Sequence, residues 1–197
     1  MIDKKALFNL GYGLYVVTTN DGKKDNGLIL NSVMQVSNDS LAVSINKENY
    51  SCDVVLNTKK MNVCPINVNA KFALFKHFGF QSGRDVNKFE GVDVLRSENG
   101  LVYLEDNFNS YISLEVKYPI DCGSHILFIC DIVESKVLNN SETMSYSYYH
   151  KNVKEKPNKK KGYVCGICGY VYEEEVLPSD YVCPLCLHGA EYFEEIK

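Results

Sequence analysis

A chain of 197 residues, 45% hydrophobic and 23% charged, can build one mid-sized core and one small module that needs a metal or covalent staple. That composition excludes a disordered or fibrous chain, and a formal charge of -4 disfavours nucleic acid as a partner. No apolar run approaches the roughly 20 residues of a membrane span, and the N-terminal segment up to Leu10 is broken too soon for a secretory core, so a soluble, cytoplasmic protein with reduced thiols is expected.

Short β-branched or apolar runs over 14–19, 26–36 and 41–45, separated by Asn, Asp, Gly and Lys, predict three strands. A helix is predicted over 51–58, capped by Ser51 or Asp53. A second follows over 70–78, where Phe72, Phe75 and Phe78 recur at helical spacing before Gly79 ends it. Strand patterns resume over 92–95, 101–104, 111–118 and 124–138, the last long enough to cross a barrel. Seven or so strands with two short helices predict a mainly β domain closed into a barrel. Cys52, Cys64, Cys122 and Cys130 are dispersed through this region and read as buried free thiols. Between Lys151 and Lys161 stand six lysines without an arginine or an aromatic, the composition of a solvated tether rather than a nucleic-acid arm. The expected division is therefore a domain over 1–155, a lysine-rich linker over 156–162 and a small domain over 163–197.

The strongest local signal is Cys165-Gly166-Ile167-Cys168-Gly169, followed after fourteen residues by Cys183-Pro184-Leu185-Cys186. Two C-x-x-C pairs bring four thiolates, Cys165, Cys168, Cys183 and Cys186, around one tetrahedral ion, with Gly169 supplying the permissive backbone that the first knuckle needs. Four sulfurs suit zinc and iron alike. The surrounding residues, Tyr163, Tyr170, Tyr172, Tyr181 and Phe193, resemble the aromatic core of rubredoxin, and that resemblance implies iron. Three features depart from the rubredoxin pattern. The segment between the knuckles is short, as in the trimmed rubredoxin-like domain of rubrerythrins; Tyr181 stands where tryptophan is usual; and Leu187 replaces a glycine, which strains the loop around Cys183 and alters the iron's potential. His188 reads as a surface residue, since four cysteines already complete the tetrahedron.

Residues 1–155 carry no Ser-His-Asp order, no G-x-G-x-x-G and no H-E-x-x-H, so their chemistry must come from a bound cofactor. A polar strand over 26–37 and the loop Gly79-Phe80-Gln81-Ser82-Gly83-Arg84-Asp85-Val86-Asn87-Lys88-Phe89 are rich in hydrogen-bonding groups. Read alone, Gln81 to Asp85 is a solvated turn with an internal Arg-Asp pair. Together with residues 46–51, Gly123-Ser124-His125 and 146–150, these segments resemble the flavin reductase-like, or flavoredoxin, family. Joined to the C-terminal knuckles, they have the layout of high-molecular-weight rubredoxins. The resemblance implies a split β-barrel of Greek-key type with short helices, a homodimer, and one FMN per subunit near the dimer interface. On that pattern Asn31, Ser32, Val33, Met34 and Gln35 meet the isoalloxazine edge or ribityl chain. Lys47, Tyr50, Ser51, Gln81, Ser82, Gly83, Arg84 and Lys88 are then the candidates for the phosphate end. His125 is the catalytic candidate, beside a nicotinamide or the flavin face; its alternative is a hydrogen-bonded histidine at a barrel mouth, and His150 has the same two readings.

An FMN beside a one-electron iron centre makes a two-to-one-electron adaptor. The acidic residues Glu173 to Glu175, Asp180, Glu191, Glu194 and Glu195 offer a docking face on the small domain. By resemblance the donor is an NAD(P)H-dependent rubredoxin reductase and the acceptor a flavodiiron protein that reduces oxygen or nitric oxide. Two alternatives stay open: an NAD(P)H:flavin oxidoreductase acting directly on nicotinamide, and a zinc-ribbon binding module on a flavin-free barrel.

Overall fold

Short β-branched and apolar runs bounded by Asn, Asp, Gly and Lys form strands β1 (Tyr15–Asn20), β2 (Asp25–Leu30), β3 (Val33–Ser37) and β4 (Ser40–Asn46), and β5 (Lys60–Pro65) follows. A two-residue pair, β6 (Leu95–Arg96) and β7 (Val102–Tyr103), precedes the long hairpin of β8 (Ser110–Asp121) and β9 (His125–Val137). This is a computed structural model that describes residues 6, 9–155, 161–167, 169–184 and 188–196. The chain divides into two compact units, Met1–His150 and Lys151–Lys197.

Seven strands form one antiparallel sheet in the order β2-β1-β5-β8-β9-β4-β3. Its two edge strands, β2 and β3, are consecutive in sequence and joined by Asn31 and Ser32 alone. The sheet must therefore curl until its edges meet at that end, which gives a barrel split between β2 and β3. The inward set Val17, Val43, Ile45, Met61, Val63, Leu114 and Phe128 is fully buried. Burial of each such side chain is worth about 1.5–3 kcal/mol.

Helix α1 (Tyr50–Thr58) runs from β4 to β5 and turns Ser51, Cys52, Val54 and Val55 inward. Helix α2 (Phe72–Gly79) buries Phe75 and Phe78. Three details differ from the sequence expectation. Asn49, not Ser51 or Asp53, holds the N-cap position of α1, and its side chain makes no cap hydrogen bond; Ser51 and Asp53 lie inside the first turn and serve other partners. The expected strand over 26–36 breaks at Asn31–Ser32, where the chain passes from one barrel edge to the other. β5 lies outside the predicted strands: it carries Asn62 and ends at Pro65, both depleted in strands, and its residues from Met61 onward are buried.

In the second unit β10 (Tyr163–Cys165), β11 (Val171–Tyr172) and β12 (Phe193–Glu195) form a three-stranded sheet in the order β11-β10-β12. No helix among the described residues is long and apolar enough to cross a membrane.

Candidate functional site

The turn that carries the chain from β4 into α1 gathers most of the polar candidates on the barrel. On one side of it, Ser44 N donates to Ser32 O at 2.9 Å, Asn46 pairs with His125 across β4 and β9, and Lys47 N donates to Ser124 O at 3.0 Å. Asn31, Ser32, Lys47 and His125 thus share one end of the barrel. Lys47 Nζ is paired with Asp121 at 2.7 Å, and His125 Nδ1 lies 2.9 Å from Ser124 Oγ. Val33, Met34 and Gln35 follow on β3, where Met34 is 62% exposed and Gln35 Nε2 donates to Ser37 O at 3.0 Å.

On the other side of the turn, the 81–88 loop folds over the start of α1. Arg84 donates to Glu48 O and Asp53 Oδ2, each at 3.0 Å, and its guanidinium lies 5.6 Å from the centre of the Tyr50 ring. Tyr50 donates a very short hydrogen bond to Asp21; that bond and the backbone amides of Lys24 and Lys23 lower the Asp21 pKa to about 2. Ser82 Oγ accepts from Arg84 N at 3.1 Å, and Gln81 Nε2 donates to His77 O at 2.9 Å. Beneath the loop, buried Asn26 donates to Ser51 Oγ at 2.6 Å, and a Cβ on Gly83 would overlap the Asn26 carboxamide. Glycine is required there by close approach.

Lys88 departs from the surface role that its charge suggests. It is only 3% exposed, and its Nζ donates to Gly27 O at 2.7 Å and Phe78 O at 2.8 Å. Burial lowers its pKa to about 8. Its position is that of a bolt between β2 and the end of α2.

Whether this end of the barrel suits an anionic, hydroxyl-bearing ligand is tested by its own polar atoms. The α1 N-terminus has no side-chain cap, and although Cys52 N donates to Asn49 O at 2.8 Å, the amides of Tyr50 and Ser51 precede it at the end of the helix that favours an anion. Asn26 Oδ1 is buried without a hydrogen-bond partner among the described residues, an acceptor left over in the nook between Ser51 and Gly83. With the Arg84 guanidinium alongside, the group fits a flavin phosphate and ribityl chain. Asn26 itself escaped the sequence reading, since only the β2–α1 packing brings it to Ser51.

In the second unit the backbone curls as a thiolate knuckle requires. Gly169 N donates to Cys165 O at 2.9 Å, Cys165 N to Tyr170 O at 2.8 Å, and Gly169 sits at φ +85°. At the second knuckle Cys183 N donates to His188 O at 2.8 Å. Cys165 and Cys183 are fully buried. Cys168, Cys186 and Leu187 lie outside the described residues. Tyr181 packs against Tyr172 at 4.5 Å and Phe193 at 5.4 Å between ring centres, with Tyr170 in the same cluster. The Tyr170 hydrogen bond and burial both raise the Tyr181 pKa. His188 is half-buried against Tyr192, not a bare surface residue. Buried sulfurs over an aromatic cushion fit an iron ion held by thiolates.

The other cysteines divide unexpectedly. Cys52, Cys64 and Cys130 are buried, whereas Cys122 is exposed at the turn between β8 and β9, where no second layer covers it. His150, at the other end of its segment, stacks edge-on with Tyr146 at 4.5 Å.

A flavin reductase like domain matches residues 7–156, and a rubrerythrin, rubredoxin-like domain matches 163–194. The high molecular weight rubredoxin of Moorella thermoacetica is 33% identical over 99% of this chain and 100% of its own length. The chain belongs to the high-molecular-weight rubredoxin family. Further similar proteins match about three quarters of the chain. A ferric-chelate reductase (NAD(P)H) of Archaeoglobus fulgidus is 29% identical over 76% of the chain and 89% of its own. The NADH:FAD oxidoreductase of Streptomyces globisporus has the same fold, with a TM-score of 0.67 and 18% identity over 75% of this chain and 93% of that one. A flavin reductase-like domain binds FMN and a rubredoxin-like domain binds iron, so flavin and iron electron transfer is the chemistry of this chain.

Proposed function

We propose that this protein is a cytoplasmic electron carrier that accepts electrons from an NAD(P)H-dependent rubredoxin reductase and delivers them to a flavodiiron-type oxygen or nitric oxide reductase. One observation carries the reading: a polar, cation-bearing barrel end and a buried thiolate knuckle occur on one chain. When bound, FMN exchanges electrons in pairs or singly, and thiolate-held iron exchanges them one at a time. The chain's own residues supply the holding. The amides of Tyr50 and Ser51, the Ser82 hydroxyl and the Arg84 guanidinium bind the phosphate, in exchange for the exposed Asp53 partner. Asn31, Ser32 and Gln35 offer amide and hydroxyl groups to the ring edge or ribityl chain, and Cys165, Cys168, Cys183 and Cys186 hold the iron. Lys47 and His125 flank the ring end. Cys52, Cys64 and Cys130, each buried in the barrel and not bridged to one another, are consistent with the reducing compartment that this proposal assigns.

A homodimer is part of this proposal. Met34, Ile129 and Tyr118 fall in one cross-strand row through Ala42, on the face opposite the core, with Ile120 and Leu127 in the next row. Met34, Tyr118 and Ile120 are 62%, 57% and 45% exposed, an apolar sheet face that a second copy would cover. Sedimentation of Tyr118→Lys should then show a monomer where the natural chain sediments as a dimer.

The electron route is tested by anaerobic mixing. A rubredoxin reductase with NADH should bleach both the flavin and iron bands, while NADH alone should not. A second reading, direct NAD(P)H:flavin oxidoreductase action, is favoured by the ferric-chelate reductase (NAD(P)H) among the relatives. Rapid bleaching by nicotinamide nucleotide alone would decide for it.

A further inference from the structure

The stretch that follows the lysine-rich segment is poor in cations. Residues 162–196 contain no lysine or arginine, against seven carboxylates at Glu173, Glu174, Glu175, Asp180, Glu191, Glu194 and Glu195. Into this acidic module one lysine from the preceding segment reaches the first knuckle. Lys154 Nζ donates to Gly166 O at 2.8 Å and Ile167 O at 3.3 Å, and lies 3.5 Å from Cys165 O. Its stem crosses the next turn of the same knuckle, since a Cβ on Gly169 would meet Lys154 Cε at 2.9 Å. Three successive carbonyls, beginning at a metal ligand, thus converge on one half-buried ammonium.

We propose that Lys154 is a positioning residue that sets the reduction potential of the thiolate-bound iron. The proposal rests on the reading of that metal as iron. Four thiolates give the ferrous site one more negative charge than the ferric site, so a fixed cation nearby favours the reduced form. Drawing the carbonyls of Gly166 and Ile167 toward the ammonium also turns the negative ends of those peptide dipoles away from the sulfurs and leaves their N–H ends directed inward. Both effects raise the potential. Removing the charge should therefore make the iron harder to reduce.

The test is a spectroelectrochemical titration of the full chain, following the iron band in the natural protein and in Lys154→Met, Lys154→Gln and Lys154→Arg. Metal content and visible spectrum are recorded for each. The Met and Gln variants should keep their iron and shift the ferrous/ferric equilibrium roughly tenfold toward ferric, about 59 mV for one electron. The Arg variant should stay near the natural value. A shift smaller than about twofold in both neutral variants would overturn the proposal, as would an Arg variant displaced as far as Met, because shape rather than charge would then be responsible. If Lys154→Met loses its iron, Lys154→Gln decides. Zinc in the natural protein overturns this proposal together with the iron reading, whereas iron with an unmoved potential overturns this proposal alone.

Discussion

Replacing Arg84 with alanine separates what holds the fold from what holds the cofactor. In the ligand-free barrel Arg84 makes an exposed ion pair with Asp53, with the two side chains 49% and 56% accessible, a hydrogen bond to Glu48 O and a stacking contact with Tyr50. An exposed pair of this kind contributes about 0–1 kcal/mol and an exposed cation–π contact about 0.5–1 kcal/mol. Stability should thus fall by no more than about 2 kcal/mol. If the guanidinium also makes a charged hydrogen bond to the flavin phosphate, its loss costs about 1.5–3 kcal/mol of binding, roughly 10- to 150-fold in Kd. Fluorescence titration of flavin-stripped chain with FMN, and in parallel with riboflavin, reads this directly. FMN affinity should drop within that range while riboflavin affinity stays constant. Equal losses for the two flavins, or none, would remove Arg84 from the phosphate site.

Lys88 provides a pH signature of stability. Its amine titrates near 8 in the folded chain and near 10.5 in an unfolded one, so between those values the unfolded state holds the extra proton and stability rises with pH. Thermal unfolding should show that rise in the natural protein, held below about 3 kcal/mol because the two carbonyl bonds favour the charged form, and not in Lys88→Met; parallel pH profiles would refute it. Cys183→Ala should abolish the iron band and leave FMN bound, because the two groups belong to separate units; simultaneous loss of flavin would contradict that division. In iodoacetamide labelling at pH 8, Cys122 should react first, while Cys64 and Cys130, pushed up to about 12 chiefly by burial, stay silent in the folded state. Fast modification of either would mean that the barrel opens.

The parts of this molecule legible in its sequence are those in which a local rule operates alone. The β-branched and apolar runs of β1, β4, β8 and β9, the helical spacing of Phe72, Phe75 and Phe78, and the paired C-x-x-C knuckles with Gly169 are of that kind. What escaped depends on distant segments meeting. β5 lies between β1 and β8 inside the sheet, and its buried Asn62 is satisfied by Ser97, Leu101 and Val102 from a distant segment. Lys88 reads as a cation for the flavin phosphate until the carbonyls of Gly27 and Phe78 are found around its amine. Asn26 has no motif, and its interest arises only because Ser51 and Gly83 close on it from two other elements. Lys154, counted in a solvated tether, instead grips the knuckle that follows it. Cys122 was grouped with buried thiols because strand residues flank it, yet it occupies a hairpin turn.

The account stands on the identity of two bound groups, and one preparation measures both. Full chain purified without oxygen or chelators should contain about one iron and one FMN per chain, with zinc absent by elemental analysis and both chromophores visible in the spectrum. A colourless protein carrying stoichiometric zinc would contradict it.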